Sequence, residues 1–245
     1  MSCYSGFAYM YDLLMKDVPY KAWADYIDRV LIQQLGENRK DRIVLDLACG
    51  TGNITLLLSQ KGYDMIGVDA STDMLSQAQG KVTDEQILFL AQDMKELDLY
   101  GTVDAVICTC DSLNYILDEA ELGAIFKRVK MFLNAGGVFI FDMNTEYKFK
   151  EVLGDKSFAT KVEGAAYEWD NHFNADTGIN KYHVLFMPDG GEPFEEVHYQ
   201  RAYPIDVIYD LLREAEFSSI NLQDGYSNVM PGDECVRIVF VATMQ

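Results

Sequence analysis

Asp46, Gly50 and Gly52, inside the run Ile43–Asn53 (IVLDLACGTGN), are the residues whose types and spacing point most directly to chemistry. Glycines permit positive φ and let the backbone come close to a ligand. A helix opening at Asn53 would aim its unpaired N–H groups at that ligand. Three kinds of site use such a turn. A phosphate loop needs Gly-Lys-Ser/Thr, but Gly52 is followed by Asn53. A dinucleotide fold wants a third glycine, where this chain has Thr55. The remaining pattern, an acid followed by Gly-x-Gly, is met by Asp46, Gly50 and Gly52; on its own the turn allows any nucleotide cofactor.

Asp69 is the second chemical signal. It stands 23 residues after Asp46, near the roughly 20-residue separation of an acid that binds ribose hydroxyls. Neighbouring parallel strands end side by side, so its carboxylate reaches over the glycine turn. Its two oxygens can accept from two hydroxyls. The plainer reading is an acid at the start of a helix whose N-cap is Ser71. Five cysteines (Cys3, Cys49, Cys108, Cys110 and Cys235) are scattered, with no CxxC pair. They read as free thiols, and no metal site is expected. Cys108 and Cys110 are expected to share one face of a strand.

The elements needed to position these residues are an alternation of strands and helices. Ile43–Leu45 reads as a strand buried on both faces, and Asn53 to Gln60 as the following helix. Tyr63 to Val68 is the second strand, followed by a helix ending near Ala78. Gln86 to Leu90 is the third strand. Val103 to Cys108 is the fourth, with Thr109–Tyr115 as its loop at the ligand edge of the sheet. Glu119 to Leu133 is an amphipathic helix, ended by Asn134-Ala135-Gly136-Gly137. Val138 to Phe141 is the fifth strand, ending at Asp142. Ahead of the first strand, the aromatic-rich opening (Tyr4, Phe7, Tyr9, Tyr11, Tyr20) predicts a short helix around Phe7–Met15. A second helix follows over Lys21 to Leu35. This region is either a helical pair on the sheet edge or an aromatic lid over the cofactor.

From Phe158 to Tyr203 the helical period disappears. Ala166–Phe173, Lys181–Met187 and Phe194–Tyr203 alternate, and Asp176-Thr177-Gly178 and Pro188–Gly191 are turn signals, which predicts an antiparallel β insertion. A helix over Pro204 to Glu216 and strands at Ser218–Leu222 and Val236–Ala242 close the chain. The reading is α/β, with a cofactor domain over 1–145 and 204–245 and the insertion over 146–203 covering the acceptor site.

Composition narrows the partners. The chain has 245 residues, 20 Lys and Arg against 39 Asp and Glu, and a net charge of −19. Such a surface repels phosphate backbones, so nucleic acid is disfavoured as a partner unless a local basic patch exists. No apolar run approaches a membrane span and the first residues do not read as a signal peptide, so the expected compartment is the cytoplasm. A monomer or homodimer is expected.

VLDLACGTG at Val44–Gly52 resembles the first motif of the class I S-adenosylmethionine-dependent methyltransferases. Tyr20–Trp23, Val68–Ser71, Asp104–Cys108 and Gly136-Gly137 before Asp142 are similar to the glycine N-methyltransferase branch. The β insertion resembles that of the bacterial amino-sugar N,N-dimethyltransferases. The opening Phe7–Trp23 resembles uncharacterised small methyltransferases of Firmicutes-type bacteria. The resemblance implies a Rossmann-like seven-stranded sheet with helices on both faces and the last strand antiparallel. It implies S-adenosyl-L-methionine as cofactor, with Asp93 and the N–H of Met94 at the adenine edge. Aromatic rings of Tyr11, Tyr20 and Trp23 would face the sulfonium, gaining about 0.5–2 kcal/mol each. The full cofactor set expected is these residues with Asp46, Ala48, Gly50, Gly52, Asp69, Ala70, Met74, Cys110, Asp111 and Ser112. Tyr115, Trp169 and Arg201 are expected at the acceptor; Arg201 could instead pair with Glu195 or Asp206. His198 stands where the sugar N-methyltransferases also have a histidine. It is expected to take part in catalysis with Tyr11, as a pocket residue and general base, or else to be an ordinary strand-face histidine. The activity implied is methyl transfer to a small molecule, nitrogen ahead of oxygen. An RNA or protein methyltransferase, a non-catalytic cofactor-binding regulator and a nicotinamide oxidoreductase are the competing readings. The (N/D)PP(Y/F) signature of many base methylases is missing from the loop after Cys108.

Overall fold

A computed structural model describes residues 8–83, 87–162 and 164–244. Two helices, α1 (Ala8–Leu14) and α2 (Tyr20–Leu35), precede an alternating series. In that series β1 (Ile43–Leu47), α3 (Asn53–Gln60), β2 (Asp64–Asp69), α4 (Thr72–Lys81) and β3 (Leu88–Ala91) come first. β4 (Val103–Cys108), α5 (Glu119–Phe132) and β5 (Leu133–Asn144) follow. A four-stranded insertion, β6 (Ser157–Val162), β7 (Ala165–Asn174), β8 (Ile179–Pro188) and β9 (Phe194–Arg201), precedes α6 (Ile205–Glu214), β10 (Ser219–Asp224) and β11 (Arg237–Thr243). The seven-stranded sheet has the order β10-β11-β5-β4-β1-β2-β3. β11 is antiparallel to both neighbours, whereas the β4–β5, β1–β4, β1–β2 and β2–β3 pairs are parallel. No helix among the described residues is long and apolar enough to cross a membrane.

Both faces of the sheet are covered, which is why its strands read as nearly continuous apolar runs. Side chains alternate across the pleat. Val44, Ala105, Ile107, Val138 and Ile140 pack under α2 and α3, through Ile27, Leu31, Ile54 and Leu58. Leu45, Val106, Phe139 and Phe141 pack under α5 and α6, through Leu122, Phe126, Leu211 and Leu212. The second sheet, β6-β7-β8-β9, is an antiparallel meander.

Several boundaries differ from expectation. β3 runs from Leu88 to Ala91, and Gln86 lies outside the described residues, as do Cys3, Tyr4 and Phe7. Asn134–Gly137 does not separate α5 from its strand. β5 begins at Leu133, directly after α5, and the pairing with β4 jumps from Val103↔Leu133 to Ala105↔Val138. The glycines therefore form a bulge, which inserts extra residues against one partner strand. Gly137 has no room for a side chain: a Cβ there would sit 2.8 Å from the carbonyl oxygen of Asn134. Asp142 is internal to β5 rather than its end. Ser157–Val162 is a strand in its own right, and Lys148–Leu153 forms a π-helix that the sequence pattern did not announce. Cys110 does not continue the strand of Cys108: it lies beyond β4 with φ +59°, in the left-handed region.

Candidate functional site

The glycine turn is built on β1, which ends in Asp46 and Leu47. Three residues of the turn have positive φ: Ala48 at 60°, Gly50 at 56° and Gly52 at 75°. Gly52 is demanded by packing as well as by φ, since a Cβ there would lie 3.0 Å from the Cβ of Ala78 on α4. A Cβ at Gly50 would meet nothing within 4 Å, so bare backbone faces open space. Asp46 is 1% exposed. Its Oδ2 accepts from the Thr55 hydroxyl at 2.5 Å, and its Oδ1 has no hydrogen-bond partner among the described residues. Burial pushes its pKa up to about 7 against the Thr55 hydrogen bond.

Asp69 ends β2 and braces the turn. Its Oδ2 accepts from the Gly50 N–H at 2.8 Å, and its Oδ1 from the Ser71 N–H at 2.8 Å. Each carboxylate oxygen has a second lone pair for a ligand. Burial holds this carboxyl above its ordinary value, opposed by the two N–H bonds. Ser71 caps α4, its hydroxyl accepting from the N–H of buried Met74 at 3.3 Å. Ala70 is exposed beside it. Asp93 follows β3, is exposed, and accepts from the N–H of Lys95 at 2.9 Å; Met94 opens the short 3-10 turn that Asp93 caps. Because β1, β2 and β3 are adjacent in the sheet, Asp46, Asp69 and Asp93 fall along one edge.

Tyr11 of α1 and Tyr20 of α2 complete an open cleft. Its other walls are Ala48 to Thr51, Asn53 and Ile54, and Thr109, Cys110 and Ser112 of the β4 loop. Burial raises the Tyr11 phenol well above its ordinary pKa, so it stays a neutral hydroxyl. Helix α1 is tied to the turn through Asp12. Its Oδ1 accepts from the Thr51 hydroxyl at 2.7 Å and from Asn53 Nδ2 at 2.9 Å. Its Oδ2 pairs with Lys81 Nζ at 2.5 Å. Lys81 also donates to the Thr51 carbonyl and Asn53 Oδ1, both at 2.9 Å. Trp23 is not in this cleft: it stacks on Tyr226 with ring centroids 4.3 Å apart, and Arg237 lies over its ring at 5.2 Å.

The β4 loop is held by residues that pattern reading missed. Cys110 and Asp111 both have left-handed backbone, and both donate their N–H groups to Asp142, at 2.9 and 2.7 Å. Asp142 is fully buried and also accepts from the Tyr226 hydroxyl and Arg237 Nη1. Arg237 Nη2 reaches Asp111 Oδ1 at 2.5 Å, and Gln200 of β9 donates to Asp111 Oδ2 at 2.6 Å. The Arg237 and Lys148 charges and the Gln200 hydrogen bond hold the Asp111 carboxyl below its usual range in spite of burial. Burial lowers the pKa of Lys148 despite the nearby Asp111, and its Nζ donates to Asn144 Oδ1 at 2.8 Å. Asn114, fully buried, ties the loop to both β5 and β9: its Nδ2 donates to the carbonyls of Asn144 (3.1 Å) and Arg201 (2.8 Å). The one available sequence signal was the acid Asp142 ending the predicted fifth strand; its basic partner follows 95 residues later.

Of the residues expected at the acceptor, His198 and Tyr115 are brought together, edge to face at 5.9 Å. His198 lies on the inward face of β9 and is 7% exposed. Trp169 stands on β7, stacked on Tyr167 at 5.5 Å. Arg201 pairs with neither Glu195 nor Asp206. It donates to the Leu117 carbonyl at 2.9 Å, approaches Glu119 at 3.8 Å and covers the Tyr203 ring at 4.6 Å.

Open backbone at Gly50, the unsatisfied Oδ1 of Asp46 and the spare lone pairs of Asp69 fit a nucleotide-like cofactor with hydrogen-bond donors, and Tyr11 and Tyr20 fit a cation among aromatic rings. Sheet order, turn and cleft together define a Rossmann-like methyltransferase. A family model described as a methyltransferase domain matches residues 44–137. A Bacillus subtilis (strain 168) protein named as methyltransferase YqeM is 36% identical over 244 residues, spanning 98% of this chain and 96% of that protein. The crystal structure of an S-adenosylmethionine-dependent methyltransferase from Clostridium acetobutylicum ATCC 824 superposes with a TM-score of 0.88 at 34% identity, over 99% of both chains. A glycine/sarcosine N-methyltransferase of Parasynechococcus marenigrum (strain WH8102) is 32% identical over 189 residues, spanning 73% of this chain and 64% of that protein. The chain belongs to the S-adenosylmethionine-dependent methyltransferases, and S-adenosylmethionine is its methyl donor.

Proposed function

We propose that this methyltransferase acts on a small-molecule acceptor, with nitrogen ahead of oxygen as the methylated atom. The observation that carries the reading is the seating of the inner face of β9 on the cofactor loop. Gln200 bonds Asp111 and His198 packs on Tyr115, so the acceptor space is roofed by a buried strand face, which suits a small molecule. The net charge of −19 argues against an RNA acceptor. The relative named for glycine and sarcosine acts on small amines by its name. Residues 1–145 and 204–245 then hold the cofactor, and 146–203 cover the acceptor.

In this assignment Asp69 takes the ribose hydroxyls, Asp93 and the Met94 N–H read the adenine edge, and Asp46 with the glycine turn holds the amino-acid end. The bound donor supplies an electrophilic methyl group on a sulfonium. The protein's part is chiefly positioning in an in-line displacement. An amine must be neutral to attack, and His198 is assigned as the group that takes its proton. Incubating the enzyme with a metabolite extract and radiolabelled donor, then identifying the labelled product, tests the reading; a labelled macromolecule, or an exclusively O-methylated product, overturns it. In calorimetry with S-adenosylhomocysteine, Asp69→Ala should weaken binding about 100-fold or more, two charge-assisted hydrogen bonds being lost; unchanged affinity removes Asp69 from the site. His198→Ala should lower turnover about 10²-fold or more with cofactor affinity intact, and loss of cofactor binding would give His198 a different role.

A further inference from the structure

The inner face of β9 presents Glu196, His198 and Gln200 in alternation, all three buried. Gln200 and His198 are accounted for by the cofactor loop. Glu196 is not. Its side chain is 7% exposed, and its Oε2 has no hydrogen-bond partner among the described residues. The nearest ionisable side chain is His198, whose Nε2 stands 3.1 Å from Oε2 and pairs with it as an ion only when the ring is protonated. Asp142 and Asp28, by contrast, are compensated, Asp142 by Arg237, Tyr226 and two backbone N–H groups and Asp28 by Arg39 and Tyr63; the unsatisfied Oδ1 of Asp46 belongs to the cofactor turn. A carboxylate oxygen left without a donor in a buried site is costly.

A second unsatisfied group shares its row. Trp169, Val184 and Glu196 are register partners across β7, β8 and β9, so their side chains leave the same face of the sheet. The indole Nε1 of Trp169 is buried without a hydrogen-bond partner among the described residues. Its ring belongs to an aromatic array, stacked on Tyr167 at 5.5 Å and against Phe158 at 5.1 Å. One face thus offers an acceptor for a cation, a donor for a lone pair, and flat apolar surface between and beside them.

Building on the small-molecule N-methylation reading, we propose that Glu196 and Trp169 form the acceptor subsite. In it Glu196 binds the ammonium group of an amine, and the indole N–H binds a hydroxyl or carbonyl oxygen on the same molecule. The class selected is an amine that is protonated in solution, carried on a flat or apolar body with one neutral oxygen. An anionic group at Glu196 is repelled.

The test uses the full chain saturated with S-adenosylhomocysteine and two probes differing only in –NH₃⁺ against –OH: 2-amino-1-phenylethanol and 1-phenylethane-1,2-diol. Ligand-observed NMR titration should give the amine an advantage of about tenfold or more, as expected of a charge-assisted bond in a buried site. Glu196→Gln should erase that advantage. Trp169→Phe, which keeps a ring and removes the N–H, should weaken both probes by about three- to tenfold. Equal binding of the pair by the unmodified enzyme, no binding of the amine, or an unchanged advantage in Glu196→Gln overturns the proposal. S-adenosylhomocysteine affinity is measured in each variant; if Glu196→Gln loses it, the wild-type pair and Trp169→Phe decide. An N-methylated product in the labelled-extract experiment combined with an unchanged advantage in Glu196→Gln sinks the subsite alone. An O-methylated product sinks the N-methylation reading independently of Glu196.

Discussion

Asp46 and Asp69 stand at the ends of adjacent strands, yet their surroundings set them apart. Asp69 receives two backbone N–H groups, whereas Asp46 receives one hydroxyl and keeps an unsatisfied oxygen. With its pKa at about 7, Asp46 holds a proton in the folded protein that the unfolded chain releases near the ordinary carboxylate value. Between those two values the native state binds more protons, so the ligand-free protein should lose stability as pH rises from about 4 to about 7, by at most ~1.4 kcal/mol per pH unit from this group. Above about 7 the contribution is flat. Melting temperatures measured across this range should show that slope in the unmodified protein and lose much of it in Asp46→Asn. An identical slope in the variant would mean that another group carries it.

At the scale of elements, α1 is a short helix whose position depends on a latch rather than on length. Asp12 joins it to the glycine turn and to Lys81 at the end of α4. Burial opposes the Asp12 charge, but hydrogen bonds from Lys81, Thr51 and Asn53 outweigh it and keep the carboxyl below its usual pKa. Since Tyr11 of this helix lines the cleft, Asp12→Ala should speed S-adenosylhomocysteine dissociation by about tenfold, equivalent to ~1.4 kcal/mol, as read by stopped-flow fluorescence; an unchanged rate would make α1 a passive cover. The β4 loop depends on a different bond set. Arg237→Met leaves Asp142 and Asp111 buried without their guanidinium, which should cost about 3–5 kcal/mol in urea unfolding. Adding Asp142→Asn to Arg237→Met should recover part of that loss.

Across the whole molecule, the excess of acids makes binding of polyanions unfavourable wherever the surface is not locally basic. Filter binding of a 20-nucleotide RNA at low salt should show dissociation constants weaker than about 10⁻⁴ M; tighter, salt-sensitive binding would restore the RNA reading. The molecule's plan was largely legible in its sequence. The apolar run before Asp46, the amphipathic stripe of Glu119–Leu133 and the alternating stretches after Phe158 map onto β1, α5 and the β insertion. Where reading failed, the cause was non-local. Gly136-Gly137 looks like a helix stop, but the bulge exists only because β4 is there to be mispaired. Cys110 looks like a strand residue, but Asp142 draws its N–H and that of Asp111 into a left-handed turn. The sequence by itself determined the cofactor turn, because positive φ at Gly50 and Gly52 and an acid before them are properties of a few consecutive residues. Only the tertiary structure decided which buried acids are matched, Asp142 by Arg237, and which keep an oxygen without a hydrogen bond, Asp46 and Glu196. Desolvation and pairing depend on what chain folding brings together from tens of residues away.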